Sequence, residues 1–305
     1  MTSPLAIPPA SPSLLPKLRA FAADIKLSHT VFAMPFALLS ATLAAHRAGG
    51  VKAGQLLLIV ACMVTARTVA MGANRYFDAA GDALNPRTAG RAIPAGRLGK
   101  PFVLAMIGLS VGGFVLAALG FWWLYANPWP AILAVPVLVY LSAYPLFKRF
   151  TALCHFYLGS ALALAPVCAW VAIAGNLAPP PLWMAAGVLL WTAGFDVIYA
   201  CQDHAHDVAH GVFSVPAKLG VAGALWVARA SHAACAAMFV ALGVTTPEFG
   251  VPYFAGVAAA VGLLVVEHAL VKPNDLSKVG LAFFTMNGVI SLLLGTLGII
   301  DVLRR

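Results

Sequence analysis

Asn74, Asp78 and Asp82 stand at i, i+4 and i+8 in the stretch Asn74-Arg75-Tyr76-Phe77-Asp78-Ala79-Ala80-Gly81-Asp82. On a helix that spacing stacks three oxygen-bearing side chains along one face. Tyr199, Asp203 and Asp207 repeat it in a second stretch, residues 196–207, which opens on Asp196. Like-charged carboxylates one turn apart repel, and at a membrane boundary they are costlier still, so a cation is expected to hold them. Oxygen-only ligands suit a hard divalent ion such as Mg²⁺, which takes one or two carboxylates and completes its shell with water and phosphate oxygens. Bases follow both stretches: Arg87, Arg91 and Lys218, with Arg75 and Arg97 as further candidates. Mg²⁺ between carboxylates and an anion, with Arg and Lys beyond the anion, makes a diphosphate site. One such Asp would merely solvate a helix end; the doubled pattern leading into bases is the specific signal.

Composition names the elements that must hold these groups. Of 305 residues 62% are hydrophobic and 10% charged, against about a quarter charged in a soluble domain. That excludes a soluble enzyme and predicts an all-α bundle of membrane-spanning helices. Apolar stretches near 28–48, 53–79, 101–120, 129–147, 152–175, 181–202, 220–243, 250–271 and 280–302 give nine expected spans, and the acidic stretches close the second and sixth. Loops then alternate sides. Lys17, Arg19, Lys26, Arg75, Arg87, Arg91, Arg97, Lys100, Lys148, Arg149, Lys218, Lys272 and Lys278 share one side, and Arg47, Lys52, Arg304 and Arg305 the other. The positive-inside rule puts the first side, with the N-terminus and both acidic ends, in the cytoplasm. The net charge of +9 is thus mostly topology, and no nucleic-acid partner is expected. Residues 1–25, with Pro4, Pro8 and Pro9, read as a cytosolic tail without signal-peptide character; residues 26–305 form the transmembrane domain. Cys62, Cys154, Cys168, Cys201 and Cys235 lack metal-like spacing and read as small buried hydrophobes. The two acidic helix ends, far apart in the chain, suggest halves that meet across a central cavity.

At these residues the chain resembles the UbiA superfamily of intramembrane prenyltransferases. The likeness lies in N-R-x-x-D-x-x-x-D-x-x-N-P-R-T-x-x-R at 74–91 and D-x-x-Y-x-x-x-D-x-x-x-D at 196–207. His29, Thr30, Phe32, Arg67, the stretch 144–149 and Gly211-x-x-Ser214-x-Pro216-x-Lys218 are also similar. The resemblance implies nine helices around a membrane-open cavity and transfer of a prenyl group from a polyprenyl diphosphate to a phenolic aromatic acid in quinone biosynthesis. It implies that Asn74, Asp78 and Asp82 hold one Mg²⁺ and Asp203 with Asp207 a second, and that Arg87, Arg91 and Lys218 contact diphosphate. The expected setting is a bacterial inner membrane. The acceptor is 4-hydroxybenzoate-like, or 1,4-dihydroxy-6-naphthoate in the branch that Asn74-Arg75 and N-P-R-T resemble. Where that family commonly has a base after the last Asp, this chain has Val208-Ala209-His210.

Some residues are read with alternatives open. Tyr199 would stabilise an allylic cation through its ring or donate a hydrogen bond, and Asp196, deeper in the span, would hold the acceptor or act as base. Arg67, an intramembrane cation, would contact an anionic substrate group or form a structural ion pair; Lys148 or Arg149 would likewise serve an aromatic carboxylate. Arg229, Glu267 and His268 read as structural pairing or snorkelling. His204, His206 and His210 cannot share one helical face, which disfavours zinc. A secondary transporter relaying protons through intramembrane acids is the competing class, disfavoured because the acids lie at helix ends beside bases.

Overall fold

The computed structural model describes residues 13–26 and 32–305. Residues 1–12, and the expectation on His29 and Thr30, lie outside the described residues. The helices are α1 (Leu14–Asp24), α2 (Met34–Arg47), α3 (Ala53–Leu84), α4 (Lys100–Tyr125), α5 (Trp129–Ser142), α6 (Tyr144–Phe147), α7 (Cys154–Ala174), α8 (Pro179–Ala200), α9 (His204–His210), α10 (Val215–Thr245), α11 (Val251–Leu270), α12 (Val279–Leu281) and α13 (Asn287–Leu303). A 3₁₀ turn, Cys201–Asp203, joins α8 to α9, and a π turn, Ala282–Met286, joins α12 to α13.

Eight helical stretches among the described residues are long and apolar enough to cross a membrane, and they match eight of the nine expected spans. The first expected span is represented by α2, whose 14 residues cover about 21 Å at 1.5 Å per residue, less than a hydrocarbon core of about 30 Å. Yet α2 is among the most deeply enclosed helices. Phe36, Leu39 and Leu43 are fully buried where it packs on α7 and α13, and Phe36 stacks on Phe239 with ring centroids 5.6 Å apart. Elsewhere apolar side chains point outward, as lipid demands: Leu57 and Leu109 are each 70% exposed, and Trp122, Trp123 and Trp129 cluster at one end of the α4–α5 pair, where membrane interfaces collect Trp.

Within the stretch read as a tail, Leu14–Asp24 is helical, and Phe21 and Ile25 are buried against Ala92, Leu98 and Val103. The α3 helix runs five residues past its expected end at 79 because nothing stops it before Asn85, which Pro86 forces into an extended conformation (φ −94°, ψ 118°). The second acidic stretch departs from expectation more sharply. Tyr199, Asp203 and Asp207 do not share one continuous helix: the 3₁₀ turn resets the phase between α8 and α9, so their convergence comes from tertiary packing.

α8 lies between α7 and α10 and is the best-buried span. Gly159 of α7 lets the two backbones meet, since a Cβ there would run into the Leu189 carbonyl oxygen. The π turn is pinned by Asn287, fully buried, which donates to the carbonyls of Ala282 (3.1 Å) and Phe283 (3.3 Å) and to Glu267 Oε1 (3.3 Å), and accepts from Trp191 Nε1 (2.7 Å). His232 bridges the Trp191 carbonyl (3.2 Å) and His268 (3.0 Å), and Arg229 lies 4.8 Å from the Trp226 ring. Glu267, His268 and Arg229, read as structural pairing or snorkelling, make these contacts, and Glu267 Oε2 has no hydrogen-bond partner among the described residues.

Candidate active site

A cavity of about 980 Å³ opens among α3, α7, α8 and the π turn. Every site residue expected from sequence lines it except Lys218. Lys218 is exposed: Val215 and Pro216, at the start of α10, are buried, and two residues on, about 200° round the helix, the side chain points away. Arg97 also lies outside, exposed and donating to the Gly90 carbonyl at 2.8 Å.

The first acidic stretch forms a ladder. Asn74 Nδ2 donates to Asp78 Oδ2 at 3.0 Å, and Lys148 ion-pairs with the same oxygen. Arg91 Nη1 reaches both oxygens of Asp82, at 2.6 and 2.7 Å. Arg149 donates to the Phe77 carbonyl at 3.0 Å. Arg75 turns the other way, donating to Asn74 Oδ1 (2.8 Å) and twice to the Asp24 carbonyl (3.1 and 3.0 Å), while the Asp24 side chain accepts the Ala92 N–H at 3.1 Å. It ties α1 to the site and is spent there.

The turn after α3 joins the two stretches. Asn85 Oδ1 accepts the Arg87 N–H (2.9 Å), as Asx turns do, and Asn85 Nδ2 donates to Asp203 Oδ1 (2.9 Å). Arg87 forks onto both Asp203 oxygens at 2.8 and 2.5 Å, donates to the Tyr199 hydroxyl at 2.9 Å, and sits 5.1 Å from its ring. Burial works against the Arg87 charge, but the Asp203 hydrogen bond and nearby acids more than offset it, so its pKa is raised. Asp207 accepts from Ser214 Oγ at 2.8 Å, and Ser214 caps α10 by accepting the Ala217 N–H at 3.2 Å.

Beyond the ladder the lining changes character. Arg67 donates to the Lys26 carbonyl (3.3 Å), while its buried Nε has no partner among the described residues. Among the described residues no carboxylate pairs with Arg67, so the structural ion pair is not formed. Lys26, 4.4 Å over the Phe284 ring, is pushed below its ordinary pKa by burial first, then by the charges of Arg75, Arg91, Arg87 and Arg67. Four guanidinium groups thus crowd the Lys26 ammonium. Tyr199 faces Phe283 at 4.2 Å, and Asp196 Oδ2 lies 2.7 Å from His155 Nδ1. Sequence reasoning missed His155, Asp24 and Lys26 as contributors; none belongs to a spaced motif, and only the fold brings them in. His206 and His210 stack on one another at 4.1 Å, and the described residues hold no group of three His, Cys, Asp or Glu that would bind a metal unaided.

The donor set fits Mg²⁺ rather than zinc. It offers carboxylate and amide oxygens in ones and twos, with cations placed to meet an anion, so the remaining ligands would come from water and phosphate.

Fold and site together define a polytopic helical membrane enzyme with an acidic and basic cavity mouth over an apolar pocket. The UbiA prenyltransferase family pattern matches residues 33–289, and the chain belongs to that family. A 4-hydroxybenzoate octaprenyltransferase of Nitrosospira multiformis is 30% identical over 236 residues, 77% of this chain and 78% of that one. A second, from Tolumonas auensis, is 29% identical over 241 residues, 79% and 82% of the two chains. Among solved structures, an apo UbiA homolog from Aeropyrum pernix K1 superposes with TM-score 0.80 at 30% identity, covering 90% of this chain and 98% of that one. A homolog from Archaeoglobus fulgidus bound to DMAPP and Mg²⁺ shares the fold, with TM-score 0.69 at 14% identity over 92% and 98% of the chains.

Proposed function

We propose that the protein transfers a polyprenyl group from a polyprenyl diphosphate to a phenolic aromatic acid of the 4-hydroxybenzoate type, in a Mg²⁺-dependent reaction of quinone biosynthesis in a bacterial inner membrane. The observation that carries the reading is the alternation, at one cavity mouth, of Asp78, Asp82 and Asp203 with Lys148, Arg91 and Arg87. Asn74, Asp78 and Asp82 would hold one Mg²⁺ and Asp203 with Asp207 a second. When bound, the ions supply neutralisation of the departing diphosphate. Arg87, Arg91 and Lys148 add hydrogen-bonded positive charge on the same leaving group. Tyr199 and Phe283 turn aromatic faces to the carbon left cationic as the C1–O bond breaks, and the apolar lining keeps water from capturing it. Arg67, with its unused Nε, suits the acceptor carboxylate, and Asp196 its hydroxyl end. Arg149 lines the mouth beside them, and Lys218 serves as an outer charge.

Because Arg75 is committed to Asp24, the Asn74-Arg75 pair does not choose the acceptor, and 1,4-dihydroxy-6-naphthoate is the second one to test. Proteoliposomes given a polyprenyl diphosphate, either acid and Mg²⁺ are expected to form the prenylated phenol and free diphosphate, and to stop on adding EDTA. Asp78→Asn is expected to cost about 10²–10³ in kcat with an unchanged elution profile in detergent. Failure to prenylate any phenolic acid overturns the proposal.

A further inference from the structure

The deeper part of the cavity holds a polar group that the diphosphate chemistry does not use. α8 turns Thr192, Asp196 and Tyr199 into the cavity at i, i+4 and i+7. Asp196 is 9% exposed and its Oδ2 is 2.7 Å from His155 Nδ1. His155 Nε2 accepts the backbone N–H of Val215 at 3.3 Å, which only an unprotonated nitrogen can do. In that arrangement Nδ1 is the nitrogen that donates to Asp196. With both nitrogens engaged and the ring 3% exposed, His155 has no free edge for substrate. The oxygen left to the cavity is Asp196 Oδ1. One turn deeper on the same face, the fully buried Thr192 carries a hydroxyl without a partner among the described residues, a second oxygen-seeking group.

We propose that His155 is a positioning residue: by holding Asp196 Oδ2 it aims Oδ1 at the phenolic O–H of the acceptor and fixes which ring carbon faces the prenyl C1. This rests on the prenyl-transfer reading above. In the step, the C1–O bond breaks with its electron pair going to diphosphate, and a ring π pair forms the new C–C bond. The phenolic proton passes to Asp196 Oδ1, leaving a cyclohexadienone. Rearomatisation returns that proton to oxygen while the ring proton leaves to diphosphate, so the products are prenylated phenol and protonated diphosphate.

The test is steady-state kinetics in proteoliposomes with Mg²⁺, varying 4-hydroxybenzoate and polyprenyl diphosphate in turn. His155→Leu is expected to lower kcat/KM for the acceptor by about 10- to 100-fold, the usual effect of losing such a supporting partner, and to leave KM for the diphosphate within about twofold. His155→Asn, whose amide N–H reaches the place of Nδ1, is expected to recover most of the loss; His155→Gln, whose amide reaches the place of Nε2, is not. If His155→Leu does not fold, the Asn and Gln variants decide between themselves. Equal activity of Asn and Gln, a Leu variant matching wild type, or parallel changes for both substrates overturns the assignment. A wild type that prenylates no phenol sinks the function itself, whereas an active wild type with indifferent variants sinks only the role of His155.

Discussion

The carboxylates at the cavity mouth are each held by a base on a different element: Asp78 by Lys148, Asp82 by Arg91, Asp203 by Arg87. Sequence spacing revealed the acids, and the N-P-R-T-x-x-R stretch at 85–91 revealed two of the bases. The partners could not be read, because Lys148 and Asp203 reach their places only through tertiary packing. His155 illustrates the limit: it belongs to no motif and lies forty-one positions from Asp196, the motif residue it holds. Lys218 illustrates the reverse: a motif position whose helical phase turns it outward. Arg87 carries the sharpest prediction at this scale, since its planar fork meets both Asp203 oxygens and the Tyr199 hydroxyl together. Lysine keeps the charge and loses the fork. Arg87→Lys is therefore expected to raise KM for polyprenyl diphosphate about tenfold, roughly 1.4 kcal/mol, with acceptor KM little changed. Initial rates against each substrate would reveal a charge-only role if the variant behaved as wild type.

At the scale of elements, hydrophobic runs located the spans, because lipid punishes polar faces uniformly along a helix. They could not show that α3 continues to Leu84, that a 3₁₀ turn breaks the second acidic stretch, or that a π turn sets Phe283 against Tyr199. Those features are decided by local contacts such as Asn287 on the freed carbonyls of Ala282 and Phe283. The α7–α8 seam matters most, for one helix carries His155 and the other Asp196. Its closeness depends on Gly159 under the Leu189 carbonyl. Gly159→Leu is expected to force the helices apart, to cost about 1–3 kcal/mol of stability, and to reduce acceptor turnover more than diphosphate binding. Thermal unfolding in detergent, read beside both measurements, separates that outcome from general collapse, in which the two activities would fall together.

For the whole molecule, the distribution of charge distinguishes the face that holds the mouth. Lys26, Arg87, Arg91, Lys148 and Arg149 line it, and the loops beside it carry most of the remaining bases. At the other end the bases are fewer, and one of them is neutralised: Arg47 forks onto Glu248 at 2.6 and 2.9 Å, hydrogen bonds that draw the Glu248 pKa down. By the positive-inside rule the mouth, α1 and the Lys272–Lys278 loop are expected on the cytoplasmic side. On the proposed function, the diphosphate head and the phenolic acid would meet the mouth from there, while the prenyl chain would lie beside the apolar lining. Single cysteines test this, introduced into a chain whose native cysteines are replaced, since Cys62, Cys154 and Cys168 line the cavity. Ser13→Cys and Asn274→Cys, both at exposed positions, are expected to react with a membrane-impermeant maleimide only in inverted vesicles. Lys52→Cys, exposed at the far end, is expected to react only in right-side-out ones. The opposite labelling would invert the molecule and leave its cationic mouth facing away from the cytoplasm, against the charge distribution that the sequence carries.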